Sequence, residues 1–169
     1  MKPTLKAYAI HLRTICTHKF LVTRECFRQG LYWQGIIHDL SKFGYTEFFK
    51  TGKYANGEES PISIEKEDKG YSEAWLNHKG RNKHHWEYWI DFKQGQLHLV
   101  KIPHRYLKEM ACDIISASKA YNKKSYMPHM PLEYFLERKH NYIMLEEDRQ
   151  VVVEYLKQHK EGVKKWKSV

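Results

Sequence analysis

Cysteine is scarce in this chain: Cys16, Cys26 and Cys112 are the whole supply in 169 residues. Three thiols at irregular spacing exclude a disulfide framework and a thiolate zinc site, and they read as buried side chains. Long apolar runs are missing as well. No stretch approaches the ~18 residues of a membrane span, and the N-terminus shows no signal-peptide core. The expectation is a cytoplasmic protein with no membrane partner. Internal repeats, low-complexity tracts and short metal motifs of the His-Glu-x-x-His kind are also lacking.

What is present suits a folded domain. Hydrophobic residues make up 41% and charged residues 29%, which excludes wholesale disorder. Aromatics at 14% supply large, rigid core side chains. The length fits one domain over 1–169. The formal charge of +9, from 29 Lys and Arg against 20 Asp and Glu, favours anionic partners by long-range attraction. A small anionic molecule is the first candidate and nucleic acid the second. Part of the excess lies between Lys157 and Lys167, which reads as a solvated end. Eleven histidines are more telling, because imidazole is the commonest side chain for metal ligation and near-neutral proton transfer.

Periodicity predicts an all-α chain. A helix opened by Thr4 as cap, or by Pro3 in the first turn, runs from Lys6 to about Arg28, with Gly30 placed to end it. A second covers Leu31 to Leu40 and leaves through Ser41 to Gly44, and a short one follows over Tyr45 to Lys50. Thr51 to Pro61 is turn-rich and reads as a surface loop or a lid. Ser63 is placed to cap a helix reaching about His78. A break at Gly80 to Asn82 precedes a short helical stretch over His84 to Ile90. Gln96 to Ile102 alternates like a strand, and without a sheet to join it reads as an extended linker or a minor hairpin. Helices then span Pro103 to Tyr121, Pro131 to Met144 and Glu146 to Lys157.

Two features ask for chemistry. His38 and Asp39 close the apolar run Leu31-Tyr32-Trp33-Gln34-Gly35-Ile36-Ile37, where charged groups are disfavoured unless paired or ligating. Asp113 sits among Ala111, Cys112, Ile114, Ile115 and Ala117, and there it needs a cation, a donor set or exposure. His18, His78, His84 and His85 fall on or beside other helices. Adjacent helical residues point about 100° apart, so His38 and Asp39 converge on one ion only at a helix end, with partners donated by other helices. Imidazole and carboxylate without thiolate suit one or two ions of Mn, Fe, Co, Ni or Zn.

The order His18, His38-Asp39, Asp113 resembles the HD-domain superfamily of metal-dependent phosphohydrolases. His38-Asp39-Leu40-Ser41-Lys42 is similar to its His-Asp-x-x-Lys form, and Glu109 to Ala117 is similar to the segment around its closing Asp. The likeness covers about Leu12 to Tyr121, with C-terminal helices over about 131–160. It implies a single HD-type helical bundle and makes His18, His38, Asp39 and Asp113 the primary ligands. His78 and either His84 or His85 would hold a second ion. Lys42 would neutralise phosphate charge or hold Asp39. Asp39 or Glu47 would take the proton of the attacking water. Lys79, Arg81 and Lys83 flank the histidines and are candidates for phosphate oxygens. The implied activity is hydrolysis of a nucleotide or other small phosphate ester by a metal-activated water. Two other readings are a di-iron oxygenase using the same ligands, and a non-catalytic module that binds nucleic acid or an acidic partner.

Overall fold

The computed structural model describes residues 4–167; Pro3, the alternative first-turn residue, lies outside them. Thr4 caps α1 (Leu5–Arg28) by accepting the Ala7 N–H at 3.1 Å. His11, Ile15, Val22 and Cys26 recur at helical spacing and are buried along one face of it. Gly30 follows with φ of 76°, the left-handed geometry that ends helices.

The second helix is shorter than its apolar run suggests. α2 spans Tyr32–Ile37, and His38 is already extended. Asp39 adopts φ 54° and ψ 25°, a left-handed conformation that Asp tolerates better than most residues. A 3₁₀ turn over Leu40–Phe43 and a π-helical turn over Thr46–Lys50 come next. Lys19 of α1 donates its ammonium to the carbonyls of Gly35, Ile36 and His38 at 2.9, 2.6 and 2.8 Å. That cation satisfies the orphan carbonyls at the C-terminus of α2 and complements its dipole. A Cβ on Gly35 would lie 3.0 Å from Cys26 Cβ and from the Phe27 ring, so only glycine lets α2 pack this closely.

The stretch expected as a loop or lid is half anchored. Thr51, Tyr54 and Ala55 are buried, and Thr51 and Tyr54 donate to Glu65 and Asp68 at 3.0 and 2.5 Å. The single helix expected up to His78 is two, α3 (Pro61–Lys69) and α4 (Glu73–Lys79). Gly70 breaks it at φ 81°. Ser63 caps neither helix; Pro61 opens α3, and Ser72 caps α4 by accepting from Trp75 N at 3.1 Å.

His84 and His85 lie in a turn rather than a helix, followed by a 3₁₀ turn at Trp86–Trp89. The extended segment resolves as a hairpin. β1 (Ile90–Lys93) pairs antiparallel with β2 (Gln96–Leu99), Ile90 opposite Leu99, through Gln94 and Gly95, both at positive φ as a two-residue turn of this hand requires. α5 (His104–Asn122), α6 (Met130–Arg138) and α7 (Glu146–Lys160) complete a mostly helical chain. α6 stops at Arg138, six residues short of the expected end, and Tyr142 folds back so that its ring centroid lies 4.7 Å from that of Phe135.

α1 and α5 pack side by side, α6 and α7 cover α5, and α2 lies along α1. The core runs between them through Val22, Leu107, Ala111, Ile115, Phe135 and Leu156. The lysines of the basic tail are exposed, as a solvated end requires, but the tail itself is anchored. Trp166 is buried and stacks on Tyr155, while the Gln29 amide binds Lys164 O and Trp166 N. Cys26 and Cys112 are buried as expected, but Cys16 is exposed. Among the described residues no helix is long and apolar enough to cross a membrane.

Candidate metal centre

Five segments deliver side chains to one place beside the core. His18 projects from α1 and Asp113 from α5. The left-handed turn that ends α2 supplies His38 and Asp39, α4 supplies His78, and the following turn supplies His84 and His85. His38, Asp39, His78 and His84 are each only 2% exposed. Because His38 is extended and Asp39 left-handed, the helical divergence of neighbours does not apply, and both reach the same point.

The distances have a pattern. Asp39 Oδ2 lies 3.3 Å from His38 Nε2 and 3.7 Å from His18 Nε2. Asp39 Oδ1 lies 3.3 Å from His78 Nε2 and 3.4 Å from His84 Nε2. Asp113 Oδ1 lies 2.9 Å from His18 Nε2 and 3.6 Å from His38 Nε2. Nε2 of His18, His38, His84 and His85 and Asp39 Oδ1 are buried without hydrogen-bond partners, and Asp39 Oδ2 is met by the Lys42 ammonium. Leaving one such atom unmet costs about 1–3 kcal/mol, so a cluster of them calls for a common partner. Two donors each about 2.1 Å from one ion and roughly 90–110° apart would be roughly 3.0–3.4 Å from each other. The donor set therefore fits a metal ion.

The donors fall into overlapping groups. Atoms of His18, His38 and Asp39 lie within 4.8 Å of one another, as do those of His38, His84 and Asp113, and those of Asp39, His78, His84 and His85. Asp39 belongs to two of the groups and presents a different oxygen to each side. His84 and His85, left as alternatives by the sequence, both face the centre.

The opposite edges of the imidazoles are held by carboxylates. His38 Nδ1 is 2.9 Å and His84 Nδ1 3.3 Å from Glu109 Oε1, and His78 Nδ1 is 2.7 Å from Glu47 Oε2. Each acceptor keeps the hydrogen on Nδ1 and turns the Nε2 lone pair inward. Lys42 reaches Asp39 Oδ2 at 2.5 Å, so of its two expected roles it performs the holding of Asp39. Burial disfavours charge throughout, yet His38 and Lys42 outweigh it at Asp39, and His18 and His38 outweigh it at Asp113, holding both carboxyls well below the usual range. Burial, with His84 and His78 alongside, keeps His85 neutral far below its ordinary pKa.

The centre opens into a cleft of about 800 Å³ whose lining includes His84, His85 and Asp113, within the size range of small-molecule sites. Trp75, Trp86, Tyr121, Tyr134 and Tyr142 line it, with Lys66 and Arg138 as its cations. A family model described as a family of unknown function, DUF5662, matches residues 7–159. The chain belongs to DUF5662. No curated protein and no solved structure matches it.

In this DUF5662 chain the structure gathers every sequence-predicted ligand: His18, His38, Asp39, His78, His84, His85 and Asp113. It does not bring Lys79, Arg81 or Lys83 to the cleft. The turn after Gly80 carries Arg81 to the surface, and the Lys83 ammonium lies over the rings of Tyr88 and Tyr106. Glu47 faces His78 and Asn77 with its two oxygens, behind the imidazole rather than before it. Sequence reasoning missed Glu109 and Lys19. Glu109 had a signal, since it lies four residues before Asp113 on the same face of an apolar helix. Lys19 had none.

Proposed function

We propose that this chain is a metal-dependent phosphohydrolase, an HD-domain-like enzyme acting on a nucleotide or other small phosphate ester. The observation that carries the reading is Asp39: a buried carboxylate whose two oxygens face separate histidine sets, beside a cleft open to a small molecule. The nitrogen and oxygen donors suit Mn, Fe, Co, Ni or Zn, with His18, His38, Asp39 and Asp113 on one side and Asp39, His78, His84 and His85 on the other. The bound metal would supply a water of lowered pKa and draw charge from the phosphoryl oxygens.

The protein's own groups do the rest. Lys42 holds Asp39 in place, and Asp39, ionised at neutral pH, presents one oxygen to each histidine set. Glu109 and Glu47 fix the imidazole tautomers, which makes Glu47 a positioning residue instead of the acceptor of the water's proton. Lys66 and Arg138 are the cleft's cations for the remaining anionic oxygens, beside the carboxylates of Glu87, Glu133 and Glu137, and the aromatic wall of the cleft receives the organic group. The same shared carboxylate suits a di-iron centre, which makes oxygenase chemistry the second reading.

Purified wild type should contain about one or two transition-metal ions and hydrolyse nucleoside monophosphates or an aryl phosphate with added Mn or Co. Asp39→Ala and Asp113→Ala should lose both properties. Iron with a near-UV charge-transfer band and no phosphatase activity would instead establish the oxygenase. A wild type that purifies metal-free and gains no activity with any divalent ion would remove the proposal. Salt-sensitive nucleic-acid binding that tolerates Asp39→Ala would then favour a binding module.

A further inference from the structure

The outer face of α2 is apolar and uncovered. Ile36 and Ile37 fall three and four residues from Trp33 along it, Trp33 67% and Ile36 51% exposed, and Leu40, 53% exposed, follows beyond the left-handed turn at Asp39. Tyr32, 62% exposed, packs its ring edge on Phe27 of α1. Phe20, 64% exposed, and Cys16 lie on the side of α1 that flanks α2, because Phe20 is four residues from Cys16 and seven from Phe27. Phe43 extends the surface past the end of α2 and is also exposed.

Fully covering one large aromatic removes roughly 150–250 Å² from water. At these exposures the patch offers on the order of 800 Å², beyond the roughly 300–600 Å² of the largest patch on a typical monomer. It equals the ~800 Å² per partner of a standard stable interface.

Charge selects the occupant. Two copies of formal charge +9 repel each other least where the contact itself carries no unpaired cation, and a two-fold contact sets each residue against its own neighbourhood. From Leu31 to Ile37 there is no acidic or basic side chain. The nearest lysines are turned inward, Lys19 bound to three backbone carbonyls and Lys42 to Asp39, and Arg24, whose guanidinium lies over the Phe20 ring, pairs with Glu25 at 3.8 Å. A lipid surface would require those ammoniums to be free for headgroups. We propose that this face, formed by α2 and the adjoining side of α1, is the two-fold interface of a homodimer.

Cys16 is the natural probe, since it alone of the three thiols is exposed. The full chain should sediment at twice its 20.4 kDa mass at about 100 µM and dissociate on dilution. Maleimide labelling of Cys16 should be at least about tenfold slower in the concentrated protein than in the dilute one. The double variant Trp33→Glu, Ile36→Glu should be monomeric and label at one fast rate, with wild-type helical content by circular dichroism. If that variant fails to fold, the concentration dependence of the wild type decides alone. A wild type that stays monomeric at about 100 µM, with a concentration-independent labelling rate, overturns the proposal. So does a monomer whose Cys16 becomes protected only on vesicles containing anionic lipid, which would make the occupant a membrane.

Discussion

At the scale of single residues, the site depends on groups that never reach its centre. Glu109 accepts from His38 Nδ1 at 2.9 Å and sits 3.3 Å from His84 Nδ1, so it orients donors that face both sides of Asp39. Glu109→Gln keeps the shape but weakens the acceptor and admits a donor in its place. Metal affinity, measured by competition with a chromophoric chelator, should fall about 10–100-fold while the thermal midpoint of the metal-free protein barely moves. Unchanged affinity would assign Glu109 to the core alone. The candidate ligands were legible in the sequence because a His-Asp pair closing an apolar run and an Asp among apolar residues need partners. The placement of Lys79, Arg81 and Lys83 was not, because proximity in the chain to a histidine says nothing about which way a turn faces.

At the scale of elements, the turn that ends α2 delivers two of the centre's side chains. The α2 run reads as a helix through Leu40, but Asp39 leaves helical geometry at φ 54°, and that departure is what brings His38 and Asp39 together. The position of the turn rests on Lys19 and on the close approach at Gly35. Gly35→Ala should push α2 off α1, because the added Cβ meets Cys26 Cβ and the Phe27 ring at 3.0 Å. Overpacking of this kind costs about 1–3 kcal/mol, read as a lower urea midpoint, and the displaced turn should carry weaker metal binding with it. If stability drops and metal binding is untouched, α2 does not position the centre. The split of α3 from α4 belongs to the same scale: Gly70 inside a polar, helix-favouring stretch was readable as a tolerated glycine, and its left-handed φ appeared only in the fold.

At the scale of the whole molecule, the C-terminal helix and tail close the end of the bundle away from the metal centre. His159 is held there by a 2.6 Å hydrogen bond with the Tyr126 hydroxyl. Burial, with Lys119 close by, lowers its pKa to about 4. In the unfolded chain the same ring titrates near 6.5. Between those values the unfolded state binds the extra proton, so stability is lost as pH falls from about 6.5 to 4 and levels off below. Its contribution is ~1–2 kcal/mol after allowance for partial exposure. The difference in urea midpoint between wild type and His159→Leu should therefore shrink or reverse across that window. A difference independent of pH would show that His159 keeps its unfolded pKa in the fold.

The sequence by itself determined the helical class, the positions of the long helices and the identity of the His and Asp side chains that gather at the candidate metal centre. Those follow from local propensity, apolar periodicity and the cost of burying an unmatched charge, all of which act within a few residues. Only the tertiary structure decided that Asp39 is shared between two histidine sets, that Glu47 stands behind His78, that the basic tail is docked through Trp166, and that α2 turns its apolar side outward. Each of these depends on groups from distant parts of the chain meeting at a particular angle, and residue spacing along one strand of sequence carries no record of that angle.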